Sequence, residues 1–297
     1  MAKPFLKWAG GKRQMIPAIE KRLPEDIEQL DTYIEPFIGG GALMFHLLGR
    51  YSFENVHISD LNPELILCYR ELQRDASAVY DKLHELIDSY PVDIDERKPV
   101  YYKVREDWNT GVDKTEEMGQ SDRTSRVAQM LFLNKTCFNG LFRVNRSGGF
   151  NVPMGTYDKP SFQKHEDLLD VQTILQGVSI HHTSFESCMY WANDRSMVYL
   201  DPPYRPLSVT SSFISYSKGD FDDNHQVSLS RVFKELDSGG TRVLLSNSDP
   251  KNTNKDDNFF DDLYSGYTIE RISANRMINS NPESRGPVTE LLIRNYK

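Results

Sequence analysis

Four consecutive residues, Asp201-Pro202-Pro203-Tyr204, place an acid, two prolines and a phenol at the end of the apolar run Val198-Tyr199-Leu200. Proline lacks the N–H that a strand ladder needs and fixes its own φ, so a strand cannot continue through two of them. The chain must leave its sheet here, on a stiff path. Open α/β sheets bind ligands beyond the carboxyl ends of their strands, which puts Asp201 and Tyr204 at the mouth of such a crevice. The carboxylate and the carbonyls beside the prolines accept hydrogen bonds, and the ring stacks. Together they suit a planar group that carries an amine, as adenine does. The plainer reading is a turn whose prolines merely stop the strand, so the choice rests on the remaining sequence.

A second stretch adds to it. Tyr33-Ile34-Glu35-Pro36-Phe37 reads as a strand, Ile38-Gly39-Gly40-Gly41 as a glycine turn, and the apolar run from Ala42 as a helix. That order brings a ligand against exposed backbone N–H groups. A following strand, Val56-His57-Ile58-Ser59, ends at Asp60, nineteen residues after Gly41. An acid roughly 20 residues on is where nucleotide-binding folds hold ribose hydroxyls. The N-terminal run Phe5-Leu6-Lys7-Trp8-Ala9-Gly10-Gly11-Lys12 supplies an aromatic ring, a bend and a cation. It is not a phosphate-binding P-loop, because the glycine spacing is wrong and Arg13 stands where Ser or Thr is needed. Either it holds a purine and a carboxylate, or it caps a helix over Gln14 to Arg22.

The elements that must position these residues alternate. Asn62-Pro63-Glu64 opens a helix over Leu65 to Arg74, and further polar helices run to about residue 133. Glu96-Arg97-Lys98 and Gly111 to Asp122 read as charged loops. Asn139-Gly140, Gly148-Gly149 and Met154-Gly155 mark tight bends in a turn-rich segment from Asn134 to Pro160. Strands resume at Val178 to His182, Met197 to Leu200 and Thr241 to Ser246, and the last is expected over Pro287 to Asn295. The pattern predicts an α/β fold, a Rossmann-like doubly wound mixed sheet interrupted by a mostly helical insert. The divisions expected are 1–68, 69–165 and 166–297.

Composition bounds the function. No apolar run approaches the roughly 20 residues of a membrane span, and the N-terminus lacks a signal peptide's apolar region. Cys68, Cys137 and Cys188 are scattered and odd in number, which argues against disulfides and structural zinc. The seven histidines show no ligand spacing, so no metal is expected. The net charge of −8 argues against a polyanionic partner until its distribution is considered. Arg123 to Lys164 holds seven positive residues against Asp158 alone, a net of +6, leaving −14 for the rest. Either this is a solvated basic surface or, interleaved with Phe138, Phe142, Phe150 and Tyr157, a nucleic-acid footprint. The acids Asp256, Asp257, Asp261 and Asp262 read as a solvated face.

The blocks at residues 5–12, 35–42 and 60–62, together with Asp201-Pro202-Pro203-Tyr204, resemble Dam-type DNA adenine N6-methyltransferases, the alpha-ordered D12 class. So do Phe138-Asn139-Gly140-Leu141-Phe142-Arg143-Val144-Asn145 and Phe150 to Tyr157. The resemblance runs from residue 5 to about 290 and implies an S-adenosylmethionine-dependent methyltransferase fold, with cofactor-binding and catalytic parts on either side of a target-recognition insert. It implies that Trp8, Lys12, Phe37, Gly39, Gly41, Asp60 and Asp201 hold S-adenosylmethionine. Asp201, Pro202, Pro203 and Tyr204 would receive an adenine flipped out of double-stranded DNA. Arg143 matches an arginine that reads guanine, and Asn139, Leu141, Pro153 and Tyr157 match its neighbours.

The expected target is GATC, with longer sites beginning GA as the alternative. A monomer acting in the cytoplasm of a bacterial or phage-infected cell follows, and a cognate restriction endonuclease is left open. Three other functions stay in view: an amino-methyltransferase for RNA or protein glutamine, a cofactor- and DNA-binding module without activity, and a nucleotide-dependent oxidoreductase. The first would more often carry Asn or Ser at position 201, and the last gives no reason for Asp201 to Tyr204. His225 stands where the family commonly has aspartate, and its role is unassigned.

Overall fold

A computed structural model describes residues 2–111, 117–205, 221–274 and 288–297. In chain order the strands are β1 (Thr32–Glu35), β2 (Asn55–Asp60), β3 (Val178–His182), β4 (Ser196–Leu200), β5 (Arg242–Ser248), β6 (Thr268–Ala274) and β7 (Val288–Arg294). The helices are α1 (Ile16–Glu20), α2 (Ala42–Leu48), α3 (Pro63–Asp88), α4 (Ile94–Thr110), α5 (Gln120–Thr136), α6 (His165–Leu175), α7 (Asp223–Ser238) and α8 (Phe259–Leu263). The chain divides into two compact units. One comprises residues 1–11, 39–50 and 60–182, the other 12–38, 51–59 and 183–297.

The second unit carries six of the strands, in the order β2-β1-β4-β5-β7-β6. β2, β1, β4 and β5 are parallel, and β7 lies antiparallel between β5 and β6. Every residue of β1 and β4 is buried, the continuous apolar character of strands covered on both faces. Val198 and Leu200, Val243 and Leu245, and Leu291 and Ile293 alternate onto one face, where they pack with Leu229 and Phe233 of α7. From β1 the chain passes outward to β2, and from β4 the other way to β5. The sheet's switch point therefore lies between β1 and β4, beyond whose carboxyl ends ligands bind in open α/β sheets. The residues that follow those two ends are Pro36-Phe37-Ile38 and Asp201-Pro202-Pro203-Tyr204.

The other unit is built on α3, against which α5, α6 and β3 pack. Asn62 caps α3 by accepting from the N–H groups of Glu64 and Leu65, and Pro63 occupies the first turn, where its missing N–H costs nothing. Asp75 breaks the helix with φ −160° and ψ 84°, and its carboxylate re-caps the second half by accepting from Ala78 N at 2.9 Å.

Two readings of the sequence need correction here. Glu96-Arg97-Lys98 is not a loop: it lies inside α4, and Arg97 is buried. Arg97, Tyr101, Arg105 and Asn109 recur every fourth residue, so they share one side of the helix. All four hydrogen-bond the backbone of residues 150–158. The stretch expected as a loop from Gly111 to Asp122 is already helical from Gln120, and residues 112–116 lie outside the described residues. β6 was not expected at all, and the predicted first residue of the last strand, Pro287, is not among the described residues.

Candidate functional site

In the second unit, strand register explains the surroundings of Asp201. Leu200 pairs with Leu245, so Asp201 falls beside Ser246, and Ser248 pairs with Glu290 on the neighbouring strand. Ser246 Oγ donates to Asp201 Oδ1 at 2.8 Å and lies 2.9 Å from the buried Tyr199 hydroxyl. Lys12 Nζ sits 2.8 Å from the same Oδ1 and 4.4 Å from the centre of the Tyr204 ring. The Tyr204 hydroxyl donates to the Glu290 carboxylate. Among the described residues, no hydrogen bond falls on Asp201 Oδ2 or on the Pro202 carbonyl oxygen. The Pro203 carbonyl is taken by Gln226 Nε2 at 3.2 Å.

Asp201 retains 17% side-chain exposure and Lys12 only 6%. Burial lifts the Asp201 carboxyl above the usual carboxylate value, while Lys12 and the Ser246 hydroxyl pull it down and Glu290 pushes it up. Burial, with the acids Asp201 and Glu290, raises the Tyr204 phenol, which stays a neutral donor. Phe37, after β1, stacks on Phe185 at 5.4 Å and meets Phe221 edge-on, so its ring packs into the apolar core.

In the first unit the glycine turn has the conformation its sequence calls for. Gly39 and Gly41 take φ of +46° and +67°, and a methyl group at Gly41 would come within 2.5 Å of the Tyr69 hydroxyl. That hydroxyl donates to Gly39 O at 3.1 Å. Asp60 accepts from Gly39 N through Oδ2 at 3.2 Å and from Asn62 N through Oδ1 at 2.9 Å. Burial raises its carboxyl, and those backbone N–H groups act the other way. The Leu61 N–H also bears on this carboxylate, whose remaining acceptor capacity is what a ligand hydroxyl would use. The indole of Trp8 lies against the turn, 3.1 Å from where a Gly39 methyl would be.

The remaining expected residues share the segment after α5. Asn139 and Gly140 turn through left-handed conformations at φ 59° and 63°. Leu141 and Tyr157 are 38% exposed and Phe138 51%. Phe138 N donates to Pro153 O at 2.9 Å, and a short hairpin follows in which Asn145 N donates to Gly149 O at 2.8 Å and Asn151 N to Arg143 O at 3.1 Å. The exposed Arg143 guanidinium is aimed by Asn151, whose Oδ1 accepts from its Nε at 2.8 Å.

Several contributors escaped the sequence reading. Ser246, Tyr199 and Glu290 hold Asp201 and Tyr204, and the one signal was the change from Leu244-Leu245 to Ser246-Asn247-Ser248 at the end of an apolar strand. His225 has a structural place: Asp222 caps α7 by accepting from His225 N at 2.9 Å, and the imidazole Nδ1 lies 2.6 Å from the same oxygen. Two acids read as a solvated face are instead ion-pair partners, Asp257 with Arg205 and Asp261 with Arg271 and Lys251. All three cysteines are free and buried. Among the described residues there is no cluster of three metal-ligating side chains and no helix long and apolar enough to cross a membrane.

Residues 8–278 match the family model of the D12 class N6 adenine-specific DNA methyltransferases. The chain is 44% identical to the type II methyltransferase M.MjaIII of Methanocaldococcus jannaschii, over 99% of both chains. It is 37% identical to the type II methyltransferase M1.LlaDCHI of Lactococcus lactis subsp. cremoris, covering 99% of this chain and 95% of that one. To the DNA adenine methylase of Escherichia coli K12 it is 32% identical, over 97% and 93%.

Proposed function

Because the chain belongs to the D12 class of N6 adenine-specific DNA methyltransferases, we propose that it methylates N6 of an adenine flipped out of duplex GATC, with Asp201 and the Pro202 carbonyl as acceptors for the amine. The enzyme is an S-adenosylmethionine-dependent DNA methyltransferase with the mixed α/β sheet of that class. The observation that carries the proposed mechanism is the division of labour on one carboxylate. Asp201 Oδ1 is saturated by Lys12 and Ser246, while Oδ2 and the Pro202 oxygen have no donor among the described residues.

The residues fit the cofactor. The Gly39 to Gly41 turn, closed to any side chain at Gly41, the Asp60 carboxylate beside it and the Trp8 ring would hold its nucleoside. When bound, S-adenosylmethionine supplies an electrophilic methyl group. Exocyclic N6 is a poor nucleophile because its lone pair is delocalised into the purine. Two fixed acceptors for its two N–H bonds draw the nitrogen toward a tetrahedral shape and free that pair. They also stabilise the positive charge that develops there, without reorganising. Holding the reactants in line is worth about 7–11 kcal/mol. Asp201 or water then takes the proton that the methylated nitrogen releases.

Extruding the adenine costs a few kcal/mol, and stacking on Tyr204 offsets part of it. The segment from Asn139 to Tyr157 supplies the base contacts, with Arg143 on guanine, and the surrounding positive residues grip phosphates. This target-recognition role is proposed for residues 69–165, between catalytic parts at 1–68 and 166–297. GATC is favoured by the likeness of the Arg143 block to Dam-type enzymes. A monomer is favoured because one chain carries every residue in the scheme. A cognate endonuclease would fit the type II names of two relatives.

The test has two arms. Mapping N6-methyladenine at single-base resolution in DNA from expressing cells should show GATC, and any other motif refutes that target. Asp201→Ala should abolish methyl transfer while cofactor and duplex binding persist; unchanged turnover removes Asp201 from the mechanism.

A further inference from the structure

Trp8 has two aromatic or backbone neighbours with different duties. On one side its indole lies against the glycine turn, 3.1 Å from where a Gly39 methyl would be, and its Cβ lies 3.3 Å from a Gly40 one. On the other it stacks on Phe142, with ring centres 5.1 Å apart and planes 19° from parallel. Phe142 stands between Leu141 and Arg143, and its own ring meets Trp108 and Phe150 at 6.2 and 5.9 Å.

A polar clamp one residue away repeats the connection. Asn134 Oδ1 accepts from Lys7 N at 2.9 Å, and its Nδ2 donates to Lys7 O at 2.9 Å and to Gly140 O at 3.1 Å. A side chain at Gly140 would be strained, since φ is +63° and a methyl there would lie 3.2 Å from Asn134 O and 2.7 Å from Lys7 Cδ. The segment Lys7-Trp8 is thus wedged between the glycine turn and the start of the base-reading arm.

We infer that Phe142 is a positioning residue, which through its stack on Trp8 sets the register between the glycine turn and Arg143 without touching either ligand. The inference rests on the reading of the two sites given above. Trp8 and Phe142 are both half-buried, and a ring that shifts displaces the ring stacked on it because their contact leaves little slack. Whatever orders the turn then orders the arm, and by linkage the effect is reciprocal.

The experiment compares wild type with Phe142→Ala and Phe142→Tyr. Titrations give the affinity for S-adenosylhomocysteine with and without duplex, and the affinity for duplexes carrying the mapped site or that site with one base changed. In wild type each ligand should tighten the other at least fivefold, within the usual range of coupling. Phe142→Ala should bring that ratio toward one and cut discrimination between duplexes about tenfold, and Phe142→Tyr should restore both. Should the alanine variant unfold on heating scans, Phe142→Leu keeps apolar volume without the stack and takes its place. Full coupling and discrimination in the alanine or leucine variant overturns the inference alone. If wild type neither binds the cofactor analogue nor discriminates duplexes, the site assignment itself fails.

Discussion

Lys12 and Asp201 form an ion pair in which Nζ lies 2.8 Å from Oδ1, and the same ammonium stands over the Tyr204 ring. The pair is almost closed to water, so its attraction is poorly screened. Burial raises the Asp201 carboxyl and Lys12 is the largest influence opposing it. Only the ionised carboxylate can accept both from its neighbours and from substrate. Activity should therefore fall as pH drops through a value above the usual carboxylate range. Lys12→Met removes the opposing charge, so the acid limb of the kcat profile should move to higher pH and turnover at neutral pH should drop. A limb that stays in place, measured by single-turnover methyl transfer, would show that Lys12 acts elsewhere.

Glu290 supplies the opposite sign. Its charge raises the Asp201 carboxyl, while its side chain accepts from the Tyr204 hydroxyl. Glu290→Gln keeps an acceptor for that hydroxyl and removes the charge. The acid limb should then move to lower pH, against the direction expected for Lys12→Met, in the same assay. A shift upward would mean that the glutamine has lost Tyr204 and disturbed the site.

In the first unit, Glu64 and Arg126 form a buried fork. Oε2 accepts from Nε at 2.8 Å and Oε1 from Nη2 at 2.6 Å, with the guanidinium also over Trp108 at 4.2 Å. Removing one partner of such a pair leaves the other charge buried, at a cost of about 3–5 kcal/mol. Arg126→Met should lower the denaturation midpoint accordingly, and adding Glu64→Leu should recover much of the loss. Additive destabilisation in calorimetry would show that the pair is not coupled.

The turns around Asp201, Gly39 to Gly41 and Asn62 were legible in the sequence because they depend on local rules. Two prolines end β4, glycines at positive φ turn the chain before α2, and Asn62-Pro63 starts α3. What was illegible depends on partners distant in the chain. β6 carries Glu270 and Arg271, which look like surface charge until Glu270 meets Arg22 and Arg294, and Arg271 meets Asp249 and Asp261. The charged run at Glu96 to Lys98 looked like a loop for the same reason, since Arg97 is buried by carbonyls of Tyr157 and Asp158. Ser246 gave no motif: its importance comes from the register that sets it beside Asp201.

Arg143 tests whether the segment after α5 reads bases, as proposed. Its Nε is held by Asn151 Oδ1 at 2.8 Å and Nη2 lies 3.4 Å from the Asn151 carbonyl, so the exposed fork is aimed before any DNA arrives. A guanidinium held in this way can donate two bonds to O6 and N7 of a guanine, and a lysine cannot reproduce that geometry. Arg143→Ala should lose about 1–3 kcal/mol of discrimination at one base pair, and Arg143→Lys should recover general affinity but not selectivity. A phosphate contact would behave otherwise, weakening cognate and scrambled duplexes equally and reducing the salt slope by about one. Measuring both affinities across a salt series separates the two roles. Asn151→Ala, which frees the fork without removing it, should fall between wild type and Arg143→Ala in selectivity.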